Sequence, residues 1–428
     1  MRIERRTSDP ADAPGLAASL RAANPDPPGI AAAVAETIDR VRREGDDALA
    51  DLGERFDGTA ARSLRVDPGE IERALASAPA SLRAALELSA GNVRAVAEAQ
   101  RGTAASATLA QGQRVEVAEV AVGAAGIYVP GGRAPYPSSV VMGVVPARAA
   151  GVRRIAVASP PGESGLPDDA ILAAAAIAGA DEVYAMGGAQ AIAALAYGTE
   201  TVASVDVIAG PGSPWVQEAK LQCSRVVGID GYAGPSEIVV VCDGSAPAEW
   251  VALDVCAQAE HGDDGLLVVA SNDSGLLDRV GDAVVALATE RPSVADATLH
   301  LVDVGDLAEG AALAEALAPE HLELICPEAA ALAEGLTTPG CVFAGAGSAT
   351  AFGDYAAGSN HVLPTGGAGR FTGPLGPGTF RRRISRVEIG ADAAAALAGP
   401  VDEIARAEGF PVHGESALAR RNDPGEGE

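Results

Sequence analysis

Five histidines, His261, His300, His321, His361 and His413, are the scarcest means this 428-residue chain has of doing proton or metal chemistry near neutral pH. His300 lies between leucines in a strand-like run and reads as a core histidine. The other four stand in polar, punctuated sequence. Gln258 and His261 are three apart at the end of a helical segment that begins near Pro247, hence on one helix face. Such spacing suits metal ligation: the imidazole nitrogen is a good zinc ligand, and the weaker amide oxygen would need a carboxylate and another histidine from elsewhere. A polar helix end can show the same pair without binding anything.

Glu320 and His321 stand side by side at the start of a predicted strand, where successive side chains point to opposite faces. A histidine titrating near neutrality is the usual general base, and an adjacent Glu could activate water in a second step. The plain alternative is an exposed Glu-His turn. Asp354, Ser359, Asn360 and His361 crowd a glycine-containing loop from Gly353 to Thr365, with Asp354 the candidate oxygen ligand, although turns often have this composition. Glu408 and His413 lie five apart across Gly409 and Pro411, a spacing that belongs to a turn. No Gly-x-Gly-x-x-Gly follows a strand, so the usual dinucleotide fingerprint is absent. Three glycine turns, at 126–132, 187–191 and 210–212, could serve a nucleotide instead. The latter two each end a strand and open a helix whose N-terminus can face phosphate, and each is equally compatible with simple punctuation.

These residues need elements to position them. Ile30, Val34, Ile38 and Val41 recur at helical spacing behind Pro28-Gly29, and Leu82, Leu86, Val93 and Val96 continue the pattern through Gln100, so the first hundred residues read as largely helical. After Val115 short apolar runs alternate with helix-length pieces: 154–158, 182–186, 205–208, 237–242, 266–270, 299–302, 321–325 and 341–343. This is βαβ texture, and the number of strands predicts two similar α/β domains with mainly parallel sheets covered on both faces. The Gly/Pro-rich passage from Pro364 to Pro377 reads as a linker or ordered surface loop before a small helical tail.

Composition narrows the partners. With 31 basic and 58 acidic side chains the formal charge is −27, which argues against nucleic acid and anionic membrane, and only Lys220 among the basic residues is a lysine. Aromatic content of 3% leaves little for base stacking. Five cysteines without a CxxC pair suggest a reducing cytoplasm, and neither a signal peptide nor a membrane span is legible.

In order along the chain, Gly126-Ile-Tyr-Val-Pro-Gly-Gly132, Gly187-Gly-Ala-Gln-Ala-Ile-Ala193, Ala233-Gly-Pro-Ser-Glu237, Gln258-Ala-Glu-His-Gly262, Pro319-Glu-His-Leu-Glu323, the Gly353 to Pro364 segment and the Glu408/His413 tail resemble histidinol dehydrogenase. That family is zinc- and NAD-dependent and oxidises L-histidinol twice to give L-histidine. The resemblance implies one zinc ion per subunit held by Gln258, His261, Asp354 and His413, and substrate contacts from Ser236, Glu408 and His321 together with the metal ligands. It implies His321 as the base of the hydride steps, Glu320 as the group that activates water, and NAD contacts from Tyr128, Gln190 and Ser213. Ser213 stands where the family pattern has Asn, and its hydroxyl is shorter than an amide. The implied architecture is two Rossmann-like α/β domains: 1–24 an N-terminal helical segment, 25–127 with 236–375 a discontinuous first domain, 128–235 a nucleotide-binding second domain, and 376–428 a helical tail reaching the partner of a homodimer with shared active sites. A sister dehydrogenase of this fold acting on another small polar alcohol, such as a sulfonated diol, would want a basic residue facing its substrate. A catalytically silent zinc-binding α/β protein would not need the intact Glu320-His321 pair.

Overall fold

In the computed structural model, which describes residues 1–22, 29–59, 61–102, 104–131 and 134–421, every apolar run named above forms a strand. Pro28 and Gly132 lie outside the described residues. The strands form two wholly parallel sheets. One, of six strands, runs in the order Arg2–Thr7, Thr298–Asp303, Leu266–Ser271, Glu237–Cys242, His321–Ile325, Cys341–Ala344. The other, of five, runs Glu182–Ala185, Arg154–Ser159, Ala124–Tyr128, Val207–Ala209, Gly228–Ile229. Their central strands are apolar almost throughout because helices cover both faces: Ile238 to Cys242 and Leu267 to Ala270 are completely buried. His300 is buried too, with Nδ1 3.4 Å from Glu4 Oε2.

Three features depart from the sequence reading. The N-terminal segment opens with the strand Arg2–Thr7, which pairs with Thr298–Asp303, before its helix Ala13–Arg21. Helix Ala80–Ala99 buries Leu86, Ala90, Val93 and Ala97, so the stripe passes beside Val96, which is 39% exposed. Residues 101–121, assigned above to the first α/β domain, instead supply the strands Ala105–Thr108 and Arg114–Ala121 of an antiparallel sheet completed by Arg381–Glu388 from the tail.

The chain divides into two compact units: residues 1–100 with 122–380, holding both parallel sheets, and residues 101–121 with 381–428, holding the antiparallel sheet and the helices Ala391–Ala407 and Pro411–Leu418. Among the described residues no helix is long and apolar enough to cross a membrane.

Candidate active site

A cleft of about 590 Å³ opens in the first unit. Its walls follow from the topology. Pro130 and Gly210 to Ser213 follow the ends of strands in the five-stranded sheet, whereas Ser236, Glu320 and His321 stand at the starts of strands in the six-stranded one. Gln258, His261, Asp354 and His361 also line it, so eight of the residues singled out in the sequence, counting Ser213, share one cavity with the glycine turn at 210–212.

Glu237 and Glu320, at the starts of adjacent strands, bind each other reciprocally. The Glu237 N–H donates to Glu320 Oε2 at 2.9 Å, and the Glu320 N–H donates to Glu237 Oε2 at 3.2 Å. Arg21 holds Glu237 in place through an ion pair of 2.7 Å. Both Glu320 and His321 are buried, which removes the exposed-turn alternative. Burial pushes the Glu320 carboxyl up to about 7, against the pull of His321 and of the Glu237 N–H. His321 Nδ1 lies 3.0 Å from the Glu237 carbonyl oxygen, so that nitrogen carries the hydrogen and Nε2 is turned toward Asp354. Nε2 is 3.4 Å from Asp354 Oδ1, within ion-pair range but without an aligned hydrogen-bond partner. Burial disfavours the imidazolium, yet the carboxylates of Glu320 and Asp354 outweigh it and raise His321 to about 9.

Asp354 sits on the short helix Thr350–Tyr355 rather than in a loop. That helix packs so closely on Phe343 that a Cβ at Gly353 would come within 2.4 Å of the ring, which explains the glycine beside Asp354. Burial alone would raise Asp354, but His321, His361 and His261 draw it below the usual carboxylate range. Gln258 ends the helix Ala248–Ala259 and is buried, and His261 follows in the next turn, open to the cleft. Among the described residues no three His, Cys, Asp or Glu side chains group closely enough to hold a metal ion. The donor chemistry is nevertheless that of an incomplete zinc site: an amide oxygen, a carboxylate and an imidazole on one cleft, with a buried imidazole nitrogen unpartnered beside the carboxylate. Glu408 and His413 belong to the second unit, where both are exposed and the His413 ring lies 5.6 Å from that of Phe410, tilted by 51°.

Against the glycine turn at 210–212, Tyr128 is buried and its phenolic oxygen accepts the Gly188 N–H at 3.1 Å. Gln190, buried on the helix that follows, leaves its Nε2 without a partner. Ser213 precedes the helix Pro214–Cys223, and its hydroxyl makes no capping bond to it. The turn at Gly210 requires glycine: φ is +129°, and a Cβ there would lie 2.1 Å from the Tyr128 carbonyl oxygen.

Three supports of this site had no specific role in the sequence reading. His361 lies with Nδ1 2.8 Å from the Asp354 carbonyl oxygen and Nε2 3.3 Å from Ser139 Oγ. Buried Lys220 pairs with Asp230 at 2.5 Å behind the glycine turn. Glu237 clamps Glu320 and also accepts the Gly366 N–H, which orders the Gly/Pro-rich passage along the cleft. Lys220 stood out as the single lysine and His361 by its polar loop, but the contacts of His361 and Glu237 depend on partners 7 to 222 residues away.

The family model for histidinol dehydrogenase matches residues 21–421. The chain is 43% identical over 431 residues to histidinol dehydrogenase from Rhodospirillum rubrum, covering 99% of each, and 42% identical over 412 residues to that from Thermobifida fusca, covering 94% of each. Its fold superposes on the crystal structure of histidinol dehydrogenase from Elizabethkingia anophelis with a TM-score of 0.90 at 29% identity, covering 98% of both chains. On this evidence of sequence and fold the chain belongs to the histidinol dehydrogenase family, and with it to the oxidoreductases.

Proposed function

We propose that the chain carries out the four-electron oxidation of L-histidinol to L-histidine, through L-histidinaldehyde, as the last step of histidine biosynthesis in the cytoplasm. The observation that carries the reading is the buried Glu320-His321 pair, with His321 Nδ1 fixed on the Glu237 carbonyl and Nε2 facing the cleft. Gln258, His261 and Asp354 are assigned to zinc together with His413 from the tail of a second chain; Tyr128, Gln190 and Ser213 are assigned to NAD. When bound, zinc supplies a Lewis-acid anchor for the substrate and NAD an acceptor for hydride in both oxidations. Ser236 contacts the substrate, and Glu408 of the second chain meets its ammonium. The homodimer is supported by the tail's own surface, where Ile404, Phe410 and Val412 are more than half exposed around Glu408 and His413.

With its Nδ1–H held by a carbonyl, His321 in its neutral form takes the substrate hydroxyl proton at Nε2 as hydride leaves the carbinol carbon; Glu320 and Asp354 favour its protonated form up to about pH 9, so turnover should rise with pH toward that value. His321 must release that proton before the second oxidation. Glu320, whose carboxyl titrates near neutrality, then takes a proton from water as the water oxygen adds to the aldehyde carbon. His321 removes a hydrate proton as the second hydride departs, and the carboxylate of histidine remains. Purified protein given L-histidinol and NAD should form two equivalents of NADH per histidine and lose this activity on chelation. Absence of turnover, or turnover indifferent to chelation, overturns the reading.

A further inference from the structure

The chain passes from the five-stranded sheet to the six-stranded one through residues 230–236, between the strands Gly228–Ile229 and Glu237–Cys242, and every residue of this segment lines the cleft. Ser236, assigned above to the substrate, is its last residue. Neighbouring strands fix the two ends: the Asp230 N–H donates to the Ile208 carbonyl at 3.3 Å, and the Ser236 carbonyl accepts the Leu266 N–H at 3.1 Å. The middle is held by side chains. There the Gly234 N–H donates to the Thr365 hydroxyl, and the Ala233 N–H donates to Gln217 Oε1 at 3.0 Å.

Gln217 stands on the helix Pro214–Cys223, which follows the glycine turn at 210–212, and it is completely buried. Its Oε1 also accepts the Lys220 ammonium at 3.2 Å, and that ammonium donates to the Gly210 carbonyl at 3.1 Å. Two donors meeting at one amide decide which way it faces, because the amide turned over would set its own N–H groups against both. This orientation leaves the buried Nε2 without a hydrogen-bond partner. An unpaired buried donor is unfavourable, so the acceptor side must be what fixes the residue. One oxygen thereby joins the glycine turn, through Lys220, to the backbone three residues before Ser236.

We infer that Gln217 is a positioning residue: its amide oxygen fastens the 230–236 segment to the helix behind the glycine turn and so sets Ser236 at the substrate side of the cleft. The tether follows from the contacts alone, whereas its consequence for histidinol rests on the function proposed above. Without Gln217, Lys220 still has Asp230 and the Gly210 carbonyl, and Glu320 and His321 still have Glu237. The loss should therefore fall on the substrate rather than on NAD or the proton steps.

The test uses the full chain and its Gln217→Met and Gln217→Glu variants. Methionine matches the length without an amide acceptor, and glutamate keeps an oxygen for both donors. Leaving a buried N–H unmet corresponds to a factor of about five or more, so Gln217→Met should raise the KM for L-histidinol at least about fivefold. Its kcat and its KM for NAD should stay within about threefold of wild type, the signature of lost uniform binding, and Gln217→Glu should recover most of the rise. A methionine variant that folds with the KM for histidinol unchanged, one whose loss falls on the KM for NAD, or a glutamate variant as impaired as methionine overturns the proposal. A second readout needs no turnover. In wild type the Ala233 amide should exchange its hydrogen at least about tenfold more slowly than in an unstructured peptide of the same sequence, and Gln217→Met should remove about fivefold or more of that protection. An unprotected Ala233 amide in wild type overturns the tether even where a variant fails to fold. If wild type does not oxidise histidinol, the proposed function fails while hydrogen exchange still decides the tether.

Discussion

Replacing Lys220 by methionine isolates what holds the glycine turn at the cleft wall. The side chain is 1% exposed; its ammonium pairs with Asp230 Oδ1 at 2.5 Å and donates to the Gly210 carbonyl at 3.1 Å and to Gln217 Oε1 at 3.2 Å. Asp230 Oδ2 in turn accepts the Gly210 N–H at 2.8 Å, so the pair grips both backbone groups of Gly210. Methionine preserves length and bulk but leaves the Asp230 carboxylate, itself only 7% exposed, with one N–H donor. Breaking a buried pair on one side costs about 3–5 kcal/mol. An unfolding entropy of about 2.1 cal/mol/K per residue gives about 0.9 kcal/mol/K for 428 residues unfolding together, so Tm should fall by about 3–6 °C. Adding Asp230→Asn removes the stranded charge and should recover more than half of that loss. Differential scanning calorimetry of wild type, single and double variants measures both. A fall below about 1 °C in the single variant, or a double variant no more stable than the single, would refute the argument that the charge pair holds this turn.

Four further outcomes are expected. Glu320→Gln should slow oxidation of the aldehyde about 10²–10⁴-fold while a first equivalent of NADH still forms in a single turnover, and wild-type aldehyde oxidation would remove Glu320 from the water step. Asp57 is raised from 3.8 to about 6 by burial, so the stability it contributes is fully present below about 3.8 and is lost as pH rises through 6. Asp57→Asn should therefore raise Tm at pH 8 and leave it unchanged near pH 4; an equal shift at both pH values contradicts the cause. The charge of −27 should make Tm climb from dilute buffer to molar KCl, as screening shortens to about 3 Å, and a flat profile would count against a salt-adapted surface. Equal mixing of His413→Ala and His321→Ala chains should restore roughly a quarter of wild-type activity if sites are shared between two chains, and none if each chain builds its own site.

The sequence disclosed most where burial left least choice. Strands such as Glu237–Cys242 and Leu266–Ser271 are covered on both faces and therefore spell themselves as unbroken β-branched and aliphatic runs. Arg2–Thr7 and Arg381–Glu388 gave no such signal because each has one neighbouring strand and carries three or four arginines, a composition suited to a guarded sheet edge. Within the site, Glu320, His321, Gln258, His261 and Asp354 were legible as chemically apt side chains. Their supports were not. Glu237 reaches His321 across 84 positions and Asn360 reaches the Met142 carbonyl across 218, and no local pattern encodes a partner at that distance. His361 stood in plain view, but its bonds to the Asp354 backbone and to Ser139 appear only after folding.

The placement of the cleft explains why the acid–base pair stands at the beginning of a strand, whereas ligands of open parallel sheets ordinarily bind beyond strand ends. Both arrangements are present. Tyr128, Gly187 and Gly210 occupy the carboxyl ends of the five-stranded sheet, the ordinary place for a nucleotide; of these Gly210 lines the cavity, and the six-stranded sheet turns its amino ends toward it. An amino end offers backbone groups that the first residues of neighbouring strands can exchange with side chains, and Glu237 uses both of its own: its N–H fixes the Glu320 carboxylate and its carbonyl fixes the His321 tautomer. One residue on the neighbouring strand thus orients acid and base together. Moving Glu237 without removing its side-chain charge, by breaking the Arg21 ion pair in Arg21→Ala, should consequently lower kcat for both oxidations while leaving the KM for NAD unchanged. A variant impaired in only one oxidation would show that Glu320 and His321 are positioned independently.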